Sequence, residues 1–182
     1  TTIGNLSLLS LLKSPTIIST LQLGVPKSIR ENWAKEAYKF STQSYKTNLQ
    51  AQMSSYKIWE QTDIYNQLIT NIGNILNTQI KPVAKLYPDT YYEIKEAWTA
   101  IYKKGEYAIS HTHEFSDLSF VYYIRTDGAT TPLKFDDLDF KVTPYDDMLV
   151  IFDATLWHSV EPHIGEDRVI IAGNANFKRV KK

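Results

Sequence analysis

The sequence predicts an α+β fold, a jelly roll preceded by two helices that pack on its larger sheet. Three observations carry this. Past Pro88 the chain breaks into many short runs rich in β-branched and aromatic residues, with no helical pattern between them. Turn-forming residues separate those runs. Ahead of them lie two stretches with helical apolar spacing, able to cover one face of a sheet.

The first helix is expected from Ser28, read as an N-cap with Glu31 three residues on, and places Ile29, Trp33, Ala37 and Phe40 on one face. The second begins near Thr62 and carries Ile64, Leu68, Ile72, Ile75, Leu76 and Ile80 at helical spacing, stopping around Pro82. Between them, Gln52 to Trp59 alternates and is read as a strand. Tyr92 to Tyr102 also alternates, with Ile94, Glu96, Trp98 and Ala100 on one side. Glu106–Ser110, Leu118–Thr126, Leu133–Phe135, Phe140–Val142, Met148–Phe152 and Arg168–Phe177 follow as short strands. Lys104-Gly105, Asp127-Gly128, Pro144–Asp147 and His163–Asp167 supply the turns. The 182 residues are read as one domain, 1–182, with a helical and mixed part over about 1–90 and a jelly-roll core over about 91–178.

Composition narrows the chemistry. Twenty basic residues balance twenty acidic ones, so no long-range field recruits nucleic acid or an acidic membrane. The chain has no cysteine, which excludes disulfides, thiolate zinc sites and cysteine nucleophiles. Any metal must be held by His, Asp or Glu, a donor set that suits iron, manganese or zinc. The lack of disulfides fits a reducing cytoplasm. The run Ile3–Val25 is apolar only in patches and reads poorly as a signal peptide or membrane span.

All four histidines fall in the strand-rich half. His111 and His113 are two apart, so on a strand both imidazoles face the same side and reach one ion. His158, in Leu156-Trp157-His158-Ser159-Val160, is placed to add a ligand from a neighbouring strand. Short motifs of this kind are common by chance, and what gives this one weight is Arg168. It enters an otherwise apolar strand ten residues beyond His158, where burial is expensive unless an anion meets it. A guanidinium suits a carboxylate. His163 is read as a solvent-facing turn residue, and Asp136, Asp137 and Asp139 as a solvated strand edge lacking calcium-loop spacing. Trp33, Trp59, Trp98 and Trp157 are read as core anchors.

Trp98 to His113, with Gly105 before Glu106-Tyr107 and then His111-Thr112-His113, resembles the 2-oxoglutarate/iron(II) oxygenase family whose members carry a Trp, a Gly and then His-x-His. Leu118–Ile124, Pro144–Phe152, Leu156–Pro162, Arg168 and Asn174 are similar to its later segments, and Leu49–Lys57 to an upstream one. The wider prolyl-hydroxylase pattern, Tyr-x-x-Gly ahead of His-x-Asp and then a distal His and a basic residue, is similar too. The resemblance implies a double-stranded β-helix that binds Fe(II) through His111, His113 and His158. It also implies 2-oxoglutarate and O2 as cosubstrates, and hydroxylation of a substrate with release of succinate and CO2. Arg168 would pin the distal carboxylate of 2-oxoglutarate, with Tyr123, Tyr107 and Asn174 as further pocket residues.

Two departures from that pattern stand out. The wider superfamily usually has Asp or Glu at the position of His113, so Asp117, or less readily Glu114, is the alternative third ligand. Ile170 stands where relatives often have a serine, which leaves a hydroxyl role to Tyr123 or Tyr107. The rival readings are a three-histidine cupin-type dioxygenase independent of 2-oxoglutarate, and a non-catalytic metal- or ligand-binding jelly roll. The substrate and the oligomeric state are not legible.

Overall fold

The computed structural model describes residues 16–44, 48–84, 88–126 and 131–181. Its strands form two antiparallel sheets. The larger has six strands in the order β1 (Ile18–Gln22), β9 (Met148–Asp153), β6 (Leu118–Arg125), β11 (Arg168–Arg179), β4 (Thr90–Tyr102) and β3 (Gln52–Met53). The smaller runs β2 (Leu49–Gln50), β5 (Tyr107–His111), β10 (His158–Val160), β7 (Leu133–Phe135) and β8 (Phe140–Val142). The two sheets and the helical cover make the expected jelly roll.

Alternation explains why the central strands read as continuous apolar runs: both of their faces are buried. On β9, Leu149 and Ile151 face the helices, whereas Val150 and Phe152 face the smaller sheet. On β11, Val169 and Ile171 take the helical side, and Ile170 and Ala172 the inter-sheet side. The helices α1 (Lys27–Phe40) and α2 (Asn66–Ile75) cover the larger sheet as expected, packing Trp33, Ala37, Leu68 and Ile72 into the core. A π-helical turn, Leu76–Ile80, and a last turn, Lys81–Val83, continue α2 to the predicted stop at Pro82. Tyr65 joins the two helices, its hydroxyl donating to the Trp33 carbonyl at 2.7 Å.

Several local expectations are corrected. Helix α1 starts two residues earlier than predicted, with Pro26 rather than Ser28 at the N-cap position, and no side chain makes a capping bond. Ile29 is exposed, and Ala34 takes the buried place beside Trp33. Of Gln52–Trp59 only Gln52–Met53 pairs as a strand, and Ile58–Glu60 forms a 3₁₀ turn. Ile18–Gln22, given no element in the sequence reading, is an edge strand on β9; the part of that N-terminal run before residue 16, and the predicted turn Asp127-Gly128, lie outside the described residues. Trp157 is 45% exposed rather than a core anchor, because the next residue, His158, turns inward. His163 is buried rather than solvent-facing. Its backbone exchanges hydrogen bonds with Gly105 and Glu106 and so clasps two loops together. No helix among the described residues is long and apolar enough to cross a membrane.

Candidate metal and cosubstrate site

His111 ends β5 and His158 begins β10, and the two residues are direct partners in the antiparallel register. Between this pair and the next one, Val160 with Ala108, β5 carries one residue more than β10. That bulge changes the phase of the strand, so Ala108 and His111 both face inward although they are three apart. It also corrects the reasoning for Tyr107. Simple alternation puts Tyr107 on the face of His111, but with the bulge between them Tyr107 points outward, 37% exposed, and does not line the cavity.

His113 reaches the same place by another route. It lies beyond the end of β5, and its amide donates to the Ala154 carbonyl at 2.8 Å, which ties the loop to the turn after β9. The convergence of His111 and His113 therefore comes from a pinned loop rather than from strand alternation. The side-chain ligand atoms of His111, His113 and His158 all lie within 4.8 Å of one another. Asp117 is turned away from the group, its carboxylate accepting the Phe177 amide at 2.9 Å, and Glu114 is exposed. Among the described residues the third member of the cluster is His113.

The tautomers follow from the backbone. His111 Nδ1 lies 2.7 Å from the Ile109 carbonyl, and His158 Nδ1 lies 2.9 Å from the Leu156 carbonyl. A carbonyl only accepts, so in both rings Nδ1 carries the proton and Nε2 keeps its lone pair for a ligand. Burial lowers the basicity of all three rings. It pushes His113 down to about 3 and His158 to about 4, helped by the neighbouring imidazoles, and lowers His111 as well. Neutral imidazoles with converging lone pairs are what a divalent ion needs.

Asp136, expected as a solvated edge, is exposed but employed. Its two carboxylate oxygens accept hydrogen bonds from Ser110 (2.6 Å) and Ser159 (2.9 Å), which flank His111 and His158 on the outer face. It thus staples β5 to β10 at the level of the histidines.

The histidines open on a cavity of about 370 Å³ between the sheets. Arg168 lines it and is only 1% exposed. Its Nη2 donates to the Thr131 carbonyl at 2.7 Å, and the guanidinium lies 5.6 Å from the centre of the Tyr123 ring. Nε is buried without a hydrogen-bond partner, and no carboxylate pairs with the group among the described residues. Such a cation is costly to leave alone. Burial lowers its basicity and raises that of the two phenols beside it, Tyr123 to about 12 and Tyr102 further, so both tyrosines keep their protons at neutral pH. Sequence reasoning missed Tyr102, although it continues the alternation of Trp98 and Ala100 and pairs in register with Arg168. Asn174 is buried but does not line the cavity. It accepts from Ser119 at 2.7 Å and donates to Glu96 at 2.6 Å, and so positions two residues that do line it.

The residues fit a metal ion with a dianionic ligand. Three imidazole nitrogens converge, and a guanidinium whose Nε lacks a partner among the described residues lines the same cavity with two phenols. The donor set would leave a divalent ion with its full charge, which a dianion could offset.

The sequence matches no family model and no curated protein. The fold does match solved structures. A prolyl-4-hydroxylase from Pseudomonas putida aligns with a TM-score of 0.66 at 19% identity, covering 91% of this chain and 93% of that one. The viral collagen prolyl hydroxylase of Paramecium bursaria chlorella virus 1, solved as a 2-oxoglutarate complex, gives 0.66 at 12%, covering 87% and 94%. HygX from Streptomyces hygroscopicus, with nickel and 2-oxoglutarate bound, gives 0.64 at 9%, covering 92% and 85%. The chain therefore has the fold shared by prolyl hydroxylases and other 2-oxoglutarate/iron(II) oxygenases.

Proposed function

We propose that this chain is an iron(II)- and 2-oxoglutarate-dependent dioxygenase that hydroxylates its substrate. The observation that carries this reading is the shared cavity: three neutral imidazoles facing one another, and a buried guanidinium with no counter-charge among the described residues. A metal site alone would not need Arg168, and an anion pocket alone would not need three histidines. The likeness of fold to enzymes solved with 2-oxoglutarate supports the reading.

His111, His113 and His158 would hold the metal through their inward nitrogens. Arg168 would take the distal carboxylate of 2-oxoglutarate in charge-assisted hydrogen bonds, with its Nε the donor now lacking an acceptor. Tyr123 and Tyr102 would offer neutral hydroxyls to the same carboxylate, in place of the hydroxyl that Ile170 lacks. Bound iron(II) supplies the chemistry in which one oxygen atom of O2 goes into succinate as 2-oxoglutarate loses CO2, and the other enters a substrate C–H bond. The protein holds the reactants in register and keeps bulk water from the reaction. The buried walls of the cavity, Phe152, Val160, Ile170 and Ala172 among them, serve that exclusion.

The test is aerobic turnover of 2-oxoglutarate to succinate with added iron(II). Arg168→Ala should raise the concentration of 2-oxoglutarate needed for half-maximal turnover roughly 10- to 150-fold, the loss of a charged hydrogen-bonding partner worth about 1.5–3 kcal/mol. No turnover, together with no iron-dependent binding of 2-oxoglutarate, would remove the proposal. Metal-dependent oxygen consumption indifferent to 2-oxoglutarate and to Arg168 would favour the cupin-type reading.

A further inference from the structure

The cavity has a second charged residue, of opposite sign to the first. Glu96 lines it and also lines a shallow depression beside His113 that opens toward the exposed Phe115. Its position follows from β4, whose residues Tyr102, Ala100, Trp98 and Glu96 alternate onto the inter-sheet face. Tyr102 pairs with Arg168, and four residues back Trp98 has its ring 6.2 Å from that of His113. At ~3.3 Å per residue the level of Arg168 lies about 13 Å from that of Trp98, with Glu96 about 7 Å further on. A ligand stretched from Arg168 to the histidines therefore leaves Glu96 on the far side.

Glu96 is held, not loose. Asn174 donates to its Oε1, and Asn174 is itself fixed by Ser119. No cation pairs with Glu96 among the described residues. A bulge keeps it in place: Asn174 pairs with Glu96 and the next residue, Ala175, with Ile94, which leaves Lys95 out of the ladder. Ile94 thereby passes to the helical side, against simple alternation, while Glu96 stays on the cavity side. Two aromatic rings line the cavity with it: Trp98, two residues along β4, and Tyr56, whose carbonyl accepts from the Ala97 amide at 2.9 Å, packed edge to face at 5.2 Å. A fixed carboxylate beside the rings of a tryptophan and a tyrosine is a cradle for an organic cation.

We infer that Glu96, Trp98 and Tyr56 form the substrate subsite, and that it selects a protonated amine or guanidinium on an aliphatic stem, delivered next to the histidines. The inference rests on the reading of this cavity as an oxygenase site, but its test does not need turnover. The two charged ends divide the cavity by sign: the anionic cosubstrate goes to Arg168 and the cationic substrate to Glu96. Each repels the wrong occupant, which gives the order of the two ligands without a moving part.

The experiment is NMR titration of the metal-free chain with n-hexylammonium and, as its neutral match, 1-hexanol. The cation should bind at least roughly tenfold tighter, with shifts at Trp98 and Tyr56, and Glu96→Gln should abolish that preference. A blocked Gly-Lys-Gly tripeptide run alongside distinguishes an amine carried on a peptide from a free amine. Equal or tighter binding of hexanol, shifts confined to sites away from Trp98 and Tyr56, or a preference that survives in Glu96→Gln would each overturn the inference. Should Glu96→Gln fail to fold by thermal melting, the ligand pair and the shift map on the unaltered chain decide. Succinate formation without cation preference removes this inference alone, and cation preference in a chain that neither forms succinate nor binds 2-oxoglutarate with iron removes the oxygenase reading and leaves the cation site.

Discussion

His113 completes the histidine cluster at the position where the wider pattern of the sequence resemblance implied a carboxylate, and the consequences are local. An imidazole pushed down to about 3 by burial and by its neighbours stays neutral through the physiological range. Restoring a carboxylate through His113→Asp should keep a metal-binding set, because a two-histidine, one-carboxylate triad also suits iron(II). By contrast His158→Ala should cost at least tenfold in metal affinity, read by calorimetry, since on the proposed reading it removes a ligand whose ring is already oriented by the Leu156 carbonyl. Gly173 makes a separate prediction. A Cβ there would meet the Phe120 ring at 2.5 and 2.7 Å and the Glu96 carbonyl closer still, so Gly173→Ala should lower stability by about 1–3 kcal/mol in denaturant unfolding. At this scale much was legible. His111 stood out through its spacing from His113, His158 through its segment beside a neighbouring strand, and Arg168 because a charge in an apolar strand is costly to bury. Tyr107 failed because a phase change within β5 leaves no mark in an alternation count, and Glu96 was noted only as one side of a strand.

At the scale of elements, the strands past Pro88 were readable nearly to the residue because β-branched and aromatic runs end at turn chemistry there. Leu133–Phe135 and Phe140–Val142 match the observed strands end to end. The edge strand Ile18–Gln22 was not read as a strand, and His158–Val160, the middle strand of the smaller sheet, was given no bounds, since the pairing of such short pieces depends on distant partners rather than on their own pattern. Two bulges, one in the β5–β10 pair and one in β4–β11, set which side chains enter the cavity. Asp136 staples the first of them through Ser110 and Ser159. Asp136→Ala should therefore reduce stability by about 1–2 kcal/mol at most, two exposed hydrogen bonds being lost, while metal affinity falls more than it does on changing the exposed Asp139. Tyr65→Phe should cost about 1 kcal/mol in thermal or denaturant unfolding, because it removes the buried bond to the Trp33 carbonyl that joins the helical layer.

For the whole molecule, the larger sheet is a partition. Its helical side carries an apolar core, and its other side carries the histidines' cavity with charges of opposite sign at its two ends. Burying three imidazoles without metal has a thermodynamic signature. Their basicity is lower in the folded state than the ordinary histidine value of 6.5, so the unfolded chain binds more protons below that pH. The stability of the metal-free protein should be fully present above about pH 6.5 and fall as the pH drops from there toward about 3; a pH series of thermal melts checks the direction. Bound metal should oppose that loss, because ion and proton compete for the same nitrogens. The measurement that reaches the centre of the account most directly is anaerobic calorimetric titration of the chain with iron(II), with and without 2-oxoglutarate. The account predicts one iron per chain, tighter binding when 2-oxoglutarate is present, loss of the iron site in His158→Ala, and loss of only the 2-oxoglutarate effect in Arg168→Ala. No iron uptake, or uptake indifferent to both substitutions, would contradict it.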